Sequence, residues 1–155
     1  MKLVAYALAA LFALAGAALA EPMKLTVNQA FSVSVGIEQL NKGATQIIKD
    51  GAKETQAQTS FAFGPGFRVA LAVDASHISD AIGPAQRALK AARERLGAGE
   101  FDAEQRKALE AEAEKIGAQI VEIDLTPTTE DQLALDKNPG ISAATIQALM
   151  PIFKH

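Results

Sequence analysis

The chain has 155 residues, 49% of them apolar, with 15 basic and 18 acidic side chains and neither cysteine nor tryptophan. That length suits one compact domain, and the apolar share is too high for a disordered chain. The missing cysteines exclude a disulfide framework and a thiolate zinc site. A net charge of −3 argues against a nucleic-acid partner, which calls for concentrated Lys and Arg to displace counterions.

Residues 1–20 read as a secretory signal peptide. Lys2 is the positive start, residues 3–14 are apolar, and Ala18-Leu19-Ala20 is a small-residue cleavage site before Glu21-Pro22. The run is rich in Ala, barely long enough for a bilayer, and has no basic stop behind it. Cleavage is therefore expected, with no stable membrane insertion afterwards. The mature domain, 21–155, is expected to be periplasmic or secreted, and losing Lys2 takes its net charge to −4. Met23-Lys24-Leu25 repeats Met1-Lys2-Leu3, so translation from Met23 would instead give a cytoplasmic protein.

Residues 27–41 support two readings. Thr26 and Gln29 fit a capping box, and Val27, Ala30, Val33, Ile37 and Leu40 follow at helical spacing. Yet Phe31, Val33, Val35 and Ile37 also alternate as a strand would. The cap favours the helix. Residues 45–63 read as a β-hairpin turning at Asp50-Gly51, with Phe61 and Phe63 on one face of the return strand. Gly64-Pro65-Gly66 then breaks the chain.

The strongest pattern is Leu71, Ala75, Ile78, Ile82, Ala85, Leu89, Ala92 and Leu96, an a/d seam across a long helix at 67–96. Pro84 interrupts it chemically but not in phase, which predicts a kink rather than a break. Asp102 and Gln105 form a second capping box. A helix at 103–119 follows, with Leu109, Ala113, Ile116 and Ile120 as its seam. Together the two helices predict an antiparallel hairpin. Residues 120–125 alternate apolar and acidic side chains and read as a strand. Residues 128–140 read as a polar loop. Ser142 caps a last helix at 142–153, stapled by Ile141 and Ile146, with Ile146, Leu149, Met150 and Phe153 on its apolar side. Pro151 should bend or end it. The fold class is thus α+β, mainly α: a long antiparallel helical hairpin, a small antiparallel sheet and a short C-terminal helix.

In this order, from Met23-Lys24-Leu25-Thr26-Val27 through Phe67-Arg68-Val69-Ala70-Leu71 and Val121-Glu122-Ile123-Asp124-Leu125 to Ile141-Ser142-Ala143-Ala144-Thr145-Ile146, the chain resembles a family of small tailed-bacteriophage proteins of uncharacterised function. The resemblance covers about residues 23–153 and favours helix for 27–41. It implies a virion, assembly or host-interaction role, and a virion-associated location if translation starts at Met23. The leader departs from the family pattern.

Chemistry-bearing residues are sparse. Asp74, His77 and Asp80 are three apart, as metal ligands or the centre of a metal-assisted hydrolase could be. In the heptad frame they fall at g, c and f, fanning around the solvent side, where three ligands do not converge. Glu104, Glu110, Glu112 and Glu114 could be imagined as paired catalytic acids, but Arg106, Lys107 and Lys115 lie among them as on an ordinary solvated face. Phe61, Phe63 and Phe67 could stack bases, yet Arg68 is their only nearby cation. No catalytic, cofactor-binding or metal residue is assigned. The expectation is a non-enzymatic, protein-binding chain without a cofactor, free to self-associate, or else an exported accessory module that binds an envelope protein.

Overall fold

A computed structural model describes residues 22–50, 53–97 and 101–154. The expected leader at 1–20 and the Gly51 turn position lie outside the described residues. In chain order the elements are β1 (Met23–Thr26), α1 (Val27–Lys42), β2 (Ala44–Asp50), β3 (Lys53–Thr59), α2 (Pro65–Leu96), α3 (Ala103–Gly117), β4 (Ile120–Ile123), α4 (Glu130–Leu133) and α5 (Ala143–Leu149), closed by a 3₁₀ turn at Met150–Ile152. The protein is mainly helical with small antiparallel sheets, β1 paired with β4 and β2 with β3.

Helix wins over strand in α1 because Thr26 caps it. The Thr26 Oγ1 accepts from the Gln29 N–H at 3.1 Å, and Gln29 Oε1 accepts from the Thr26 N–H at 2.8 Å. Satisfying two orphan donors at once fixes the first turn. Val27, Ala30, Val33, Ile37 and Leu40 are then buried, while Val35, which the strand reading needs inside, is 48% exposed.

α2 runs unbroken through Pro84. Its start corrects the sequence reading: Gly64 is the N-cap and Pro65 stands in the first turn, where a missing N–H costs nothing. Leu71, Ile78 and Ile82 join the main core with α1, whereas Ala85 packs with Val27 and Ile116 in a second cluster. The hairpin is therefore shorter than the seam suggested. The N-terminal half of α2 is covered by α1, and α3 covers the C-terminal half, where Arg95 reaches Glu112 and Gln105 donates to the Leu96 carbonyl at 2.8 Å. Ile120 is no part of that seam. α3 ends at Gly117, and Ile120 sits on β4 with 61% of its surface exposed.

β4 ends at Ile123, two residues earlier than expected, and its partner is β1, which the sequence reading did not identify. Leu25 and Ile123 point inward, while Lys24 and Glu122 pair across the outer face at 3.3 Å. The β2–β3 hairpin starts at Ala44 and stops at Thr59, so Phe61 and Phe63 follow the strand instead of lying on it. Phe61 enters the core, with Phe63 packed beside it. Gly43, at φ +80°, makes the turn into β2. A Cβ there would overlap the Thr59 carbonyl, and the backbone conformation itself suits only glycine.

The segment 128–140 is not simply polar loop. Thr129 and Gln132 form a further capping box that starts α4, and Leu133 is wholly buried. The last helix is also shorter than expected. α5 spans seven residues and yields to the 3₁₀ turn containing Pro151. Met150 is exposed, and Ile152 takes the core position. α5 crosses α1 closely at Gly36, where a Cβ would stand 2.9 Å from Leu149.

Candidate functional site

The N-terminal half of α2 carries two features of interest on different faces. One faces the end of β4. Asp74 lies three residues after Leu71 and four before Ile78, on the buried stripe rather than the solvent side that the heptad frame assigned to it. It is 2% exposed. Its Oδ1 accepts from the Thr126 N–H at 3.0 Å and from the Thr126 hydroxyl at 3.3 Å. One turn on, the exposed His77 donates from Nδ1 to the Asp124 carbonyl at 2.6 Å. A carbonyl only accepts, so this bond fixes the proton on Nδ1 and leaves Nε2 outward. Asp74 and His77 together tie the chain after β4 to the spine of the fold. Asp80, the third member of the spaced triplet, is exposed. Among the described residues no group of three or more His, Asp or Glu is placed to hold a metal.

Burial pushes the Asp74 carboxyl above its ordinary pKa, partly countered by the two Thr126 bonds and by the charge of His77. The folded state holds this proton more tightly than the unfolded chain. Stability from this group therefore falls as pH rises from the ordinary Asp value, 3.8, through the raised one, and the full cost stands at neutral pH. Asp74→Asn keeps an oxygen acceptor for Thr126 and removes the charge. Thermal melts should show the variant gaining on the wild type as pH rises from 3.8 through the raised value. A gap that does not change with pH would contradict this.

The second feature is the outward face of the same helix. Val69 and Val73, one turn apart, are 64% and 45% exposed. Two large aliphatics at i and i+4 form one continuous apolar strip.

Elsewhere, a groove of about 440 Å³ between α1 and α5 is lined by Asn28, Gln29, Ser32, Ala144, Gln147 and their neighbours. Amides and hydroxyls of this kind hold a polar ligand by hydrogen bonds, and none of these lining groups can exchange a proton near neutral pH. A smaller groove of about 310 Å³ at the root of the β2–β3 hairpin includes Gln39, Ser142 and Thr145. There the Thr145 hydroxyl donates to Gln39 Oε1 at 2.6 Å, a bond internal to the fold.

The phenylalanine group is also turned inward. Phe63 and Phe67 meet edge to face with centroids 5.3 Å apart, and Phe61 lies 5.7 Å from Phe63. Arg68 spends its guanidinium on the Phe61 carbonyl at 2.7 Å and the Phe63 carbonyl at 3.4 Å, so it holds the segment rather than lining a stacking platform. Of the α3 acids, Glu112 reaches Arg95 at 3.5 Å across the hairpin, and Glu104, Glu110 and Glu114 are exposed.

Choosing Ala75 for the seam put Asp74 on the solvent side, although position 74 satisfies the same three-and-four spacing and is buried. Sequence reasoning missed Asn138, which is 3% exposed. The Asn-Pro-Gly run reads as a turn, and nothing in it signals that the Asn amide faces inward. Among the described residues no helix is long and apolar enough to cross a membrane. Set against protein-family models, curated proteins and solved structures, the chain matches none.

Proposed function

We propose that this chain works by binding another protein, with α2 as a rigid strut and its outward Val69–Val73 strip as the contact. The helix has 32 residues, a length of about 48 Å at 1.5 Å per residue. Packing by α1 on one half and α3 on the other stiffens it. The observation that carries the reading is that strip. An exposed aliphatic pair on a braced helix gains by being covered, whereas the opposite face of the helix already serves the core. The most specific form is a phage-derived structural or assembly role, supported by the order of elements from Met23 to Phe153.

Photocrosslinking in the native host tests it. A photoreactive residue at position 69 or 73 should give one discrete adduct that is absent when the residue is placed at Glu104, and Val73→Asp should remove the adduct formed from position 69 without lowering the melting temperature. No adduct, or the same adducts from every position, would overturn the proposal.

A second form is an exported accessory module that presents the same strut to an envelope protein. The leader-like run at 1–20 supports it. A native N-terminus at Glu21 would favour this form, and one at Met23 would remove its basis. A metal-assisted hydrolase centred on His77 is less well supported, because Asp74 is committed to Thr126 and the His77 Nδ1 to Asp124.

A further inference from the structure

The β2–β3 hairpin stands apart in its packing, since each of its strands makes substantial backbone contact with the other strand alone among the described elements. Gly43, Ala44 and Phe61 join its root to the body: Ala44 packs on the core, and its Cβ lies where a side chain at Gly140 would have to go. Beyond that root it is a two-stranded arm. Such a ribbon is marginal in water, and each outer edge offers a row of unpaired backbone donors and acceptors. Proteins blunt such edges with bulges, prolines or charges. Here the register runs without a bulge from Ala44↔Thr59 to Asp50↔Lys53, and neither strand contains proline. The charges sit next to the turn, at Lys49, Asp50, Lys53 and Glu54. The two edges differ in composition. β2 carries Thr45-Gln46-Ile47-Ile48, uncharged and strongly β-prone, whereas β3 carries Thr55-Gln56-Ala57-Gln58.

We infer that β2 pairs antiparallel with β2 of a second copy of this chain, giving a four-stranded sheet in the order β3-β2-β2-β3 across a two-fold axis. The self-complementary pattern of β2 selects a second copy over a foreign strand. A two-fold axis perpendicular to the sheet keeps each residue on its own face, so the residue at the axis meets its own equivalent. With Ile47 at the axis the whole of β2 overlaps. Gln46 then lies opposite Ile48 of the second copy, Thr45 opposite Lys49, and Ala44 opposite Asp50. No like charges oppose one another, and a β-branched pair occupies the centre. Shifting by two residues in either direction, the next allowed registers, puts Ile47 opposite Lys49 or opposite Thr45 and cuts the overlap from the seven residues of β2 to about five. A four-stranded sheet passes the strand number at which a two-stranded ribbon is marginal, and pairing the β2 edges satisfies backbone groups that each arm alone leaves to water. This contact is on a different element from the α2 strip, so either can fail without the other.

The test is sedimentation equilibrium of the full chain, with melts as a control for folding. The wild type should sediment at twice its 16.2 kDa mass. Ile47→Lys and Ile47→Glu should each raise the dimer dissociation constant at least tenfold, because like charges then meet on the axis, and an equimolar mixture of the two should restore the dimer. Because the chain has no cysteine, cross-linking is clean. Ile47→Cys should oxidise to a covalent dimer, whereas Gln56→Cys, opposite Ile47 on β3, should not. A wild type that stays monomeric at several hundred micromolar, a mixture that does not re-form dimer, or faster cross-linking through Gln56→Cys would overturn the inference.

Discussion

Ile82→Asp should abolish cooperative thermal unfolding. Ile82 is 2% exposed and belongs to the cluster that includes Leu71, Ile78 and the buried face of α1. Replacing it removes an aliphatic side chain whose burial is worth about 1.5–3 kcal/mol. It also places a carboxylate among the apolar side chains of that cluster, at a further cost of several kcal/mol. Together these approach the whole stability of a domain of this size, about 5–15 kcal/mol. Ile82→Ala separates the two effects: it should lower stability by roughly 2–5 kcal/mol yet keep a sharp transition. His77→Ala is the contrasting case. It loses one exposed hydrogen bond to Asp124, worth about 1 kcal/mol. Circular-dichroism melts of the three variants should rank them in that order, and a His77→Ala loss exceeding that of Ile82→Asp would reject the packing described for α2.

Asn138→Leu should be the most damaging polar substitution. Asn138 Oδ1 accepts from the Ala62 N–H at 2.7 Å, and its Nδ2 donates to the Leu133 carbonyl at 2.8 Å. One amide thus joins the segment after the β2–β3 arm to the end of α4. Leu has a similar size but leaves both backbone groups without a partner. Each costs about 1–3 kcal/mol, less for Ala62 because it is partly solvated. The expected loss is roughly 2–4 kcal/mol, read from denaturant midpoints with an unchanged m value. A loss below about 0.5 kcal/mol would show that water replaces both bonds.

Asn138 also shows where the sequence is mute. Its role depends on a contact across 76 positions, and a turn-like Asn-Pro-Gly run carries no trace of that distant partner. The β1–β4 pairing was hidden for the same reason, because Met23–Thr26 is too short to display a period and its partner lies almost a hundred residues away. The α2 stripe was legible because Leu71, Ile78 and Ile82 repeat at fixed spacing regardless of what covers them. What covers them was not legible. A heptad seam states that a face is buried, and the same pattern served α1 along one half and α3 along the other. The caps at Thr26, Asp102 and Ser142 could be read locally because each side chain bonds a backbone N–H three residues ahead. Asp74 was the costliest misreading. A carboxylate on a buried stripe is assigned to solvent by default, and the Thr126 donors that make its burial tolerable lie 52 positions away.

The central structural claim is that α2 is one stiff element through Gly83-Pro84, linking the core under α1 to the cluster under α3. Native-state hydrogen exchange measures this directly. Amides on the buried face before Pro84, at Ile78 and Ile82, and after it, at Leu89 and Ala92, should open together with the global unfolding free energy. If residues 85–96 instead exchanged through a separate opening of much lower free energy, the helix would be two hinged pieces and the strut would not exist.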